Sequence, residues 1–501
     1  MTERKTDGVS LPPGLSGSRF FHGVLTDTAL AFPHVFGDAA LPAPDAFKQR
    51  FPDALVRFEA ARVASPERAE IARFMTRRTH AQLVFRRAGE HRPLAEHLAA
   101  PHPAATLVAR PLGGPPGLVP EVPFEGRVYR GAEVADLATA MRARHLLTDS
   151  AAEGVRWLVA HAEAQGGALD LTGQRFAILG AGAELAPTAS LLRAGATVLW
   201  IDPADPDEAL ARLAGPGGAP FAGTLVLAPG ARDLLTETAE IAAALRAFAA
   251  DGPIHLGLFA YAPGASRELR LAAAMDAIAR SLDPALLASV ALYISPTTPA
   301  TVQPEDRAVA HLRKSGQPLW KKTLSKVRAL PTPGHHTTGA HAIAHAIIPL
   351  QGPGYQAAQY LTKMATAESW ASHGADLDAP HARPVTISAN VAGISNTRSL
   401  QHPLFQAAFT AAPTFLVKIF EPATTRALSA LLMLRDLLDP AAPGAAHAPA
   451  ASPSDKAARA LSQHIHGGVY ALPWRFDAVV RTAAMVGLAK RPSVLWRKRS
   501  R

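Results

Sequence analysis

The sequence predicts an α/β protein built on a doubly wound parallel sheet, with a mostly helical region before it. Two observations lead to this class. From about Leu171 to about Gly468, short apolar segments alternate with longer helical ones, which is the pattern of parallel strands connected by helices. Before Leu171, apolar positions recur mainly every three or four residues, as they do on one face of a helix.

The composition is that of a globular protein. The chain has 501 residues, of which 48% are apolar and 18% are charged, so it is too apolar to be disordered and long enough for two or three domains. It has no cysteine, which excludes disulfides, thiolate metal ligands and cysteine nucleophiles. The first residues lack the apolar stretch of a secretory signal, and the charge-free stretch Ala329–Thr362 is interrupted by histidines, prolines and glycines. We therefore expect a soluble, cytoplasmic protein without a transmembrane segment.

The domain boundaries follow changes in this pattern. Helical periodicity dominates Pro44–Ala100, prolines and glycines interrupt it over 101–125, and a further helix is predicted within Val134–Gln165. The Ala/Pro-rich stretch 439–455 has the low complexity of a flexible linker. The predicted units are a mostly helical N-terminal region, a main domain with an insertion and this linker, and a basic tail: 1–140, 141–475 (insertion 304–352, linker 439–455) and 476–501.

The best-defined motif lies at the start of the main domain. Arg175–Asp202 reads as a strand, a glycine turn, a helix and a second strand. Gly180 and Gly182 have no side chain, so the backbone there can approach a pyrophosphate that the helix N-terminus would hydrogen-bond. Asp202 follows Gly180 by 22 residues, near the spacing of a ribose-binding carboxylate. The segment predicts a Rossmann-type dinucleotide site. The Asp202 carboxylate favours NAD over NADP. Leu185 occupies the position where a third glycine is usual, so a βαβ unit that binds no nucleotide remains the alternative.

Five segments, in order, resemble the short-chain dehydrogenase/reductase (SDR) superfamily. They are similar to its glycine turn, its fourth strand with the following Asn-Asn-Ala-Gly turn, its fifth strand, its sixth strand with the loop that closes over the nicotinamide, and its last strand: Leu179–Ala186, Gly252–Ala265, Ser289–Thr298, Thr386–Thr397 and Gln463–Trp474. The resemblance covers about Leu171–Trp474 and implies a nicotinamide cofactor, NAD or NADP. Besides Gly180, Gly182 and Asp202, it implies these cofactor-site residues: Glu184, Leu185, Ala262, Gly264 and Gly393.

The same resemblance implies a catalytic set of Ser295, Tyr355 and Lys363. In the family, a tyrosine transfers a proton and a lysine one helical turn later lowers its pKa, which requires both groups on one helix face. Here Lys363 follows Tyr355 by eight residues, so on an α-helix it would lie roughly 80° from that face and about 12 Å along the axis. Tyr360, three residues before Lys363, lies nearer. The divergent enoyl-acyl carrier protein reductases use a spacing of seven, and their loop is similar to Ala392–Ile394.

The resemblance implies hydride transfer between NAD(P) and a carbonyl or enoyl group of a small-molecule or acyl-linked substrate. Two alternatives stay open on the sequence. The degraded glycine and tyrosine–lysine motifs also fit a catalytically degenerate nucleotide-binding or scaffold protein on an SDR-like fold. A two-domain dehydrogenase of another family, with its substrate domain at the N-terminus, fits the helix Ser150–Gln165 that leads into the first strand.

The net charge of +10, from 51 basic and 41 acidic residues, is unevenly distributed. Basic residues are concentrated in the tail from Lys490 and in Arg307–Arg328 of the insertion. Such runs are solvated surface, or they bind an acidic protein, a phosphorylated ligand or nucleic acid; without a recognised nucleic-acid module, nucleic acid is not expected. Because the insertion follows Ser295, it is expected to form a lid or a docking surface for an acidic carrier protein. The segment from Phe476 predicts a basic amphipathic helix, placed on a membrane surface or in the interface of a homo-oligomer.

Histidines cluster in the insertion, but we predict no metal site. His341 and His345 are four residues apart and would share one face of a helix. Zinc requires further ligands and hydrogen-bonded support around them, and the segment His335–His345 contains no acidic residue. Packed or surface histidines are therefore expected.

Overall fold

The buried strands of the main domain form one central sheet. The computed structural model describes residues 7–37, 39–214, 220–262, 264–372, 384–397 and 400–490. The sheet has seven strands, six of them parallel and the seventh antiparallel at one edge. Helices make up most of the remaining regular structure. The predicted α/β class is therefore confirmed.

The N-terminal region begins with helices and continues with short strands. Periodicity predicts helices over 44–100, and helices occupy most of this range, although the strands Val84–Arg87 and Glu90–Pro93 interrupt them. The helix Gly17–Ala31 and the strands within 108–130 were not predicted. In chain order the elements are β1 (Gly8–Ser10), α1 (Gly17–Ala31), α2 (Pro33–Phe36), α3 (Pro44–Ala64), α4 (Arg68–Ala81), β2 (Val84–Arg87), β3 (Glu90–Pro93), α5 (Leu94–Ala99), β4 (Val108–Pro111), β5 (Glu121–Phe124), β6 (Arg127–Arg130), α6 (Ala132–Ala143) and α7 (Asp149–Ala164).

The main domain alternates strands and helices, as the sequence predicts. One long helical run contains a π-helical turn between two α-helical segments. The elements are β7 (Arg175–Leu179), α8 (Thr188–Arg193), β8 (Thr197–Ile201), α9 (Pro206–Ala214), β9 (Thr224–Leu227), α10 (Thr238–Phe248), β10 (Ile254–Leu258), α11 (Ala265–Arg280), β11 (Leu287–Ile294), α12 (Pro304–Ser315), α13 (Leu319–Lys326), β12 (His335–Thr338), β13 (His341–Ala344), α14 (Gly352–Gln359), the π-helical turn (Tyr360–Ala365), α15 (Thr366–Ala371), β14 (Thr386–Val391), α16 (Pro403–Ala411), α17 (Pro422–Leu438), α18 (Pro453–Ala460) and α19 (Phe476–Lys490).

The strand order of the sheet is β14-β11-β10-β7-β8-β9-β4. The chain runs outward from β7 through β8 to β9, returns to place β10 on the other side of β7, and continues through β11 to β14. This order of the parallel strands is compatible with a Rossmann-like fold. Where a last strand was predicted, the structure has a single parallel bridge between Val391 and His464. Because the strand order reverses between β7 and β10, a crevice is expected outside the carboxyl ends of these strands.

The insertion forms two helices, α12 and α13, and the hairpin β12–β13. His341 lies on β13 and His345 directly follows this strand, so the expectation that they share a helix face is wrong. The hairpin is tied to the main domain because the Val302 N–H donates a 2.8 Å hydrogen bond to the Ala342 carbonyl. Among the residues that the structure describes, no group of three histidine or acidic side chains is arranged to hold a metal ion.

The stretch 439–455, for which composition predicted a flexible linker, packs against β14. The Ile387 N–H donates a 2.9 Å hydrogen bond to the Gly444 carbonyl. A Cβ added at Gly444 would lie 1.8 Å from the Ile387 carbonyl oxygen, and Ala442 and Ala445 are buried. Small residues are therefore needed at Gly444 and its neighbours for the close approach of two backbones, which gives the small side chains of this Ala/Pro-rich stretch a packing role.

The C-terminal helix α19 covers the start of the predicted tail 476–501. It packs mainly on α16 and buries Phe476, Val479 and Ala483, so this face is used inside the protein. Residues 491–501, with most of the basic tail, lie outside the described part of the chain. None of the described helices is both long and apolar enough to span a membrane.

The N-terminal helices are joined to the main domain by buried charges. Arg62 on α3 and Arg68 near the start of α4 both pair with Glu368 on α15, each with one N–O distance of 2.6 Å. The Tyr360 hydroxyl donates a 2.6 Å hydrogen bond to Glu59, which also binds Arg62. Buried charges are tolerated only when they are paired. Buried charge contacts therefore connect the regions on the two sides of the predicted boundary at residue 140.

Candidate functional site

Two adjacent cavities lie at the carboxyl ends of the parallel strands. The first, which we call the glycine-turn cavity, has a volume of about 550 Å³ and is lined by residues that follow β7, β8 and β10. The second, the apolar cavity, has a volume of about 350 Å³ and lies at the ends of β10, β11 and β14. Tyr261 and Ala262, in the loop after β10, line both cavities. The two spaces therefore meet at this loop.

The walls of the apolar cavity are mostly aliphatic and aromatic. α16, α19 and the chain between α16 and α17 supply many of them: Phe405, Ala408, Phe409, Ala412, Val417, Ile419, Phe476, Val479, Val480 and Ala483. Such walls suit an apolar ligand, with a few polar groups to orient it. Sequence reasoning missed these residues because they belong to ordinary amphipathic helices, and only the fold shows which face meets the cavity.

The three predicted catalytic residues line this apolar cavity together. Ser295 directly follows β11, while Tyr355 and Lys363 lie on the long helical run. Gln359, midway between them, also lines the cavity, so positions four residues apart point into the same space. The π-helical turn explains this, because its wider hydrogen-bonding pattern places more residues in each turn than an α-helix has. The turn therefore reduces the angular offset that a regular α-helix would impose on Tyr355 and Lys363.

Glu268, which the sequence did not indicate, links these groups. Its Oε1 lies 3.1 Å from the Lys363 ammonium and accepts a 3.4 Å hydrogen bond from the Gln359 amide. Its Oε2 accepts a 2.7 Å hydrogen bond from the Ala262 N–H. The Gln359 side-chain oxygen in turn accepts from the Ser295 N–H at 3.0 Å. A buried polar network thus runs from Lys363 through Glu268 to the ends of β10 and β11. The only feature of the sequence that could have indicated Glu268 is its position as an acidic residue in the first turn of α11.

Tyr355 is held in its protonated form. Burial raises the pKa of the Tyr355 phenol to about 12, and the nearby Glu268 carboxylate acts in the same direction. Hydrogen bonds with Ser295, Thr297 and Gln351 oppose this shift without cancelling it. The Ser295 hydroxyl also lies 2.9 Å from the Thr297 hydroxyl. The phenol is therefore placed to donate a proton at neutral pH, and it is not activated as a base.

The glycine turn is shaped by packing as well as by the cavity beside it. Gly180 has a φ of +89°, and a Cβ there would lie 2.3 Å from the Ala260 nitrogen. Only glycine can occupy this position. The helix that follows, α8, begins at Thr188 and has six residues, and the Thr188 hydroxyl donates a 2.7 Å hydrogen bond to the Ala181 carbonyl. The expected role of a helix N-terminus in holding a pyrophosphate therefore rests on a short helix that begins well after the turn.

Asp202 lies at the cavity edge, one residue beyond β8. Its carboxylate accepts hydrogen bonds from the backbone N–H groups of Gly182 at 3.0 Å and Ala204 at 2.8 Å. Burial raises the pKa of the Asp202 carboxyl, although these two bonds and the charges of Arg212 and Arg232 act against that rise. The structure thus brings Gly182 and Asp202 together, as the motif requires, but one N–H of the turn is already used by the carboxylate.

Three arginines line the glycine-turn cavity, together with four acidic residues, Glu184, Asp202, Asp233 and Glu421. The arginines are Arg212, Arg267 and Arg426. Arg212 donates a 3.0 Å hydrogen bond to the Gly182 carbonyl, and Arg426 donates a 2.9 Å hydrogen bond to the Glu184 carbonyl. These contacts fix two guanidinium groups at the wall of the cavity, where an anionic ligand would meet them.

Glu184 and Leu185 lie at the boundary of the two cavities. The Glu184 carboxylate lines the glycine-turn cavity and accepts a 3.3 Å hydrogen bond from the Tyr261 hydroxyl, whereas Leu185 lines the apolar cavity. Both side chains are half-buried. They form part of the walls and leave the space beside the turn open.

The remaining predicted cofactor residues line the apolar cavity. Gly264 has a φ of +105° and directly precedes α11, and Ala262 contacts Glu268 as described above. A Cβ at Gly393 would lie 2.4 Å from a ring carbon of Phe420, so Gly393 is required by packing. Every residue predicted for the site therefore lines one of the two cavities.

Neither a protein-family model nor a curated protein sequence matches this chain.

Proposed function

We propose that this chain is an NAD(P)-dependent oxidoreductase of the SDR type, which transfers hydride to or from a carbonyl or enoyl group of an acyl-bearing substrate. The observation that carries the proposal is the meeting of two unlike cavities at Tyr261 and Ala262. One lies beside a glycine turn and has three arginines in its walls. The other is apolar and contains Ser295 and Tyr355.

The glycine-turn cavity offers three arginines to the phosphates of a dinucleotide. Arg212, Arg267 and Arg426 would face the phosphates, and guanidinium groups are well suited to phosphate oxygens. The Asp202 carboxylate would accept hydrogen bonds from ribose hydroxyls and would repel a further phosphate there, which favours NAD over NADP. When bound, the nicotinamide supplies or accepts the hydride.

Tyr355 and Ser295 would orient and protonate the substrate oxygen. Because the pKa of the Tyr355 phenol is about 12, the phenol keeps its proton at neutral pH and acts as a general acid in the reductive direction. In that direction the phenolic proton would pass to the substrate oxygen, while the bound nicotinamide would supply the hydride to carbon. The apolar walls exclude water and hold the acyl portion. Lys363, held by Glu268 at 3.1 Å, would stabilise the phenolate that remains.

The second candidate is a catalytically degenerate nucleotide-binding protein on the same fold. Two observations favour it. The Lys363 ammonium is engaged by Glu268, and burial raises the pKa of Tyr355 where an active pair would have it lowered. A protein of this kind would bind the nucleotide through Asp202 and its neighbours but would not turn over a substrate.

Fluorescence titration with NADH and NADPH, followed by assays with ketones and enoyl thioesters, separates these candidates. The oxidoreductase proposal predicts saturable binding, with NADH preferred, and turnover that Tyr355→Phe reduces by about 10²-fold or more. Tyr129→Phe, outside both cavities, is the matched control and should change neither. Binding without turnover would support the degenerate protein, and absence of binding would refute both.

A further inference from the structure

The insertion presents a surface that combines exposed cations with exposed apolar side chains. It consists of α12, α13 and the residues just after α13, and we call it the α12–α13 surface. On α13 the exposed positions are 319, 320, 322, 323 and 326, whose spacing covers one broad face of the helix. Nothing among the described residues covers this face.

The charge of this surface is of one sign. Lys314, Lys322, Lys326 and Arg328 are exposed on it, and the chain contains no acidic residue from 307 to 367. Two acidic residues lie in the first turn of α12, and both have partners: the half-buried Glu305 carboxylate accepts a hydrogen bond from the Asp149 N–H, and Asp306 is buried 3.1 Å from His466. A surface of this charge attracts an anionic partner.

Large apolar side chains project among these cations. Leu319 is 82% exposed, Leu312 68%, Val327 66% and Trp320 46%. Solvated surface helices rarely combine this many exposed apolar groups, and large exposed apolar patches mark interaction sites. Aliphatic residues with a tryptophan, flanked by lysines, are the composition of helices that lie in the headgroup region of a lipid bilayer.

The same element is anchored to the wall of the apolar cavity. The Lys321 ammonium is buried, donates a 2.7 Å hydrogen bond to the Thr414 carbonyl and lies 5.2 Å from the ring centre of Trp474. Thr414 belongs to the short turn between Ala412 and Val417, both of which line the apolar cavity. The α12–α13 surface and the apolar cavity therefore share one wall.

We propose that the α12–α13 surface docks the protein on an anionic lipid bilayer, beside the cavity that receives an apolar chain. The binding itself does not depend on the proposed function; only the role of the cavity rests on it. A second copy of this chain would place like charges opposite one another, which opposes self-association through this face. The residues 491–501 are also basic and are repelled for the same reason.

Sedimentation of the full-length protein with vesicles tests the proposal. We expect binding to vesicles of phosphatidylcholine with about one third phosphatidylglycerol at low salt, and little binding to phosphatidylcholine alone or at high salt. Lys322→Glu with Lys326→Glu should weaken binding by at least about 25-fold, since each charge near such a surface contributes about fivefold. Lys48→Glu with Arg50→Glu, an equal charge change on exposed α3 positions, is the control and should weaken it far less.

A second pair of variants tests insertion of the apolar groups. Leu319→Ser with Val327→Ser should weaken vesicle binding by about tenfold, while Leu30→Ser, at a position that is 74% exposed on α1, should leave it unchanged. The proposal is overturned if the wild-type protein does not sediment with the anionic vesicles, if both charge-reversal pairs weaken binding equally, or if an acidic carrier protein binds this surface and vesicles do not. Because the readout is lipid binding, these results are independent of whether the protein turns over a substrate.

Discussion

Glu368→Gln removes the charge at the centre of the buried contact between the N-terminal helices and the long helical run. The carboxylate is wholly buried and accepts four hydrogen bonds, two from Arg62 at 2.6 and 2.9 Å and two from Arg68 at 2.6 and 3.1 Å. Glutamine has nearly the same shape, so the perturbation is mainly electrostatic. It leaves Arg62 with Glu59 as its partner, while Arg68 loses its carboxylate.

The expected loss of stability is large because the two guanidinium groups stay buried. Breaking a buried ion pair by removing one partner costs about 3–5 kcal/mol. Burial alone would raise the pKa of Glu368, but Arg62 and Arg68 outweigh it and lower this pKa to about 2, from an ordinary value of 4.5. The stabilisation is therefore complete above pH 4.5 and is lost as the pH falls from 4.5 towards 2.

Urea unfolding at neutral pH measures the effect, with Glu70→Gln as the matched control. Glu70 also pairs with two arginines, Arg73 and Arg77, but its side chain is 40% exposed, so its loss should cost less than about 1 kcal/mol. We expect Glu368→Gln to lower the free energy of unfolding by about 3 kcal/mol or more. Equal losses in the two variants would refute the view that the buried pairs hold the N-terminal helices in place.

Three further outcomes are expected. Gly180→Ala should lower the free energy of unfolding by about 3 kcal/mol, because it adds a backbone clash at 2.3 Å to the strain of a positive φ. Gly230→Ala, with a φ of +77° and open space around it, should lower this free energy by only about 1 kcal/mol. Equal urea midpoints for the two variants would contradict this expectation. Burial lowers the pKa of His464 to about 4, from an ordinary 6.5, so protonation of His464 should remove about 3 kcal/mol from the free energy of unfolding as the pH drops from 6.5 to 4. The pKa values of His255 and His345 are also lowered to about 4, so the test is the difference between the wild type and His464→Gln, and an identical pH dependence of the two proteins would contradict this contribution. Tyr360→Phe removes a 2.6 Å hydrogen bond to the buried Glu59 and should lower the free energy of unfolding, measured by heat or urea, by about 1–3 kcal/mol. An unchanged free energy of unfolding would mean that this contact does not stabilise the fold.

The parallel sheet was readable from the sequence because its strands are short, apolar and bounded by glycines. Arg175–Leu179 and Thr197–Ile201 lie where the apolar runs place them, and the helix between them begins at Thr188. Asp202 meets Gly182 because parallel strands end at one edge of the sheet. Local pattern was sufficient wherever the period of the sequence matched the element.

Other features depend on contacts between distant segments, which no local pattern records. The π-helical turn, which helps Tyr355 and Lys363 to line the same cavity, has no sequence signature of its own. Regular α-helical geometry places these two residues on different faces. Glu268 is an ordinary first-turn acidic residue until the fold places it 3.1 Å from Lys363. The stretch 439–455 was predicted as flexible because its small residues resemble a linker, although they serve close packing on β14.

A crystal structure determined with NADH bound would show where the dinucleotide lies. We expect the pyrophosphate beside Gly182 and within reach of Arg212, with the nicotinamide at the loop of Tyr261 and Ala262 and its reactive carbon facing Tyr355. NADH bound elsewhere, or a glycine-turn cavity that stays closed to it at saturating concentration, would refute the proposed dinucleotide site.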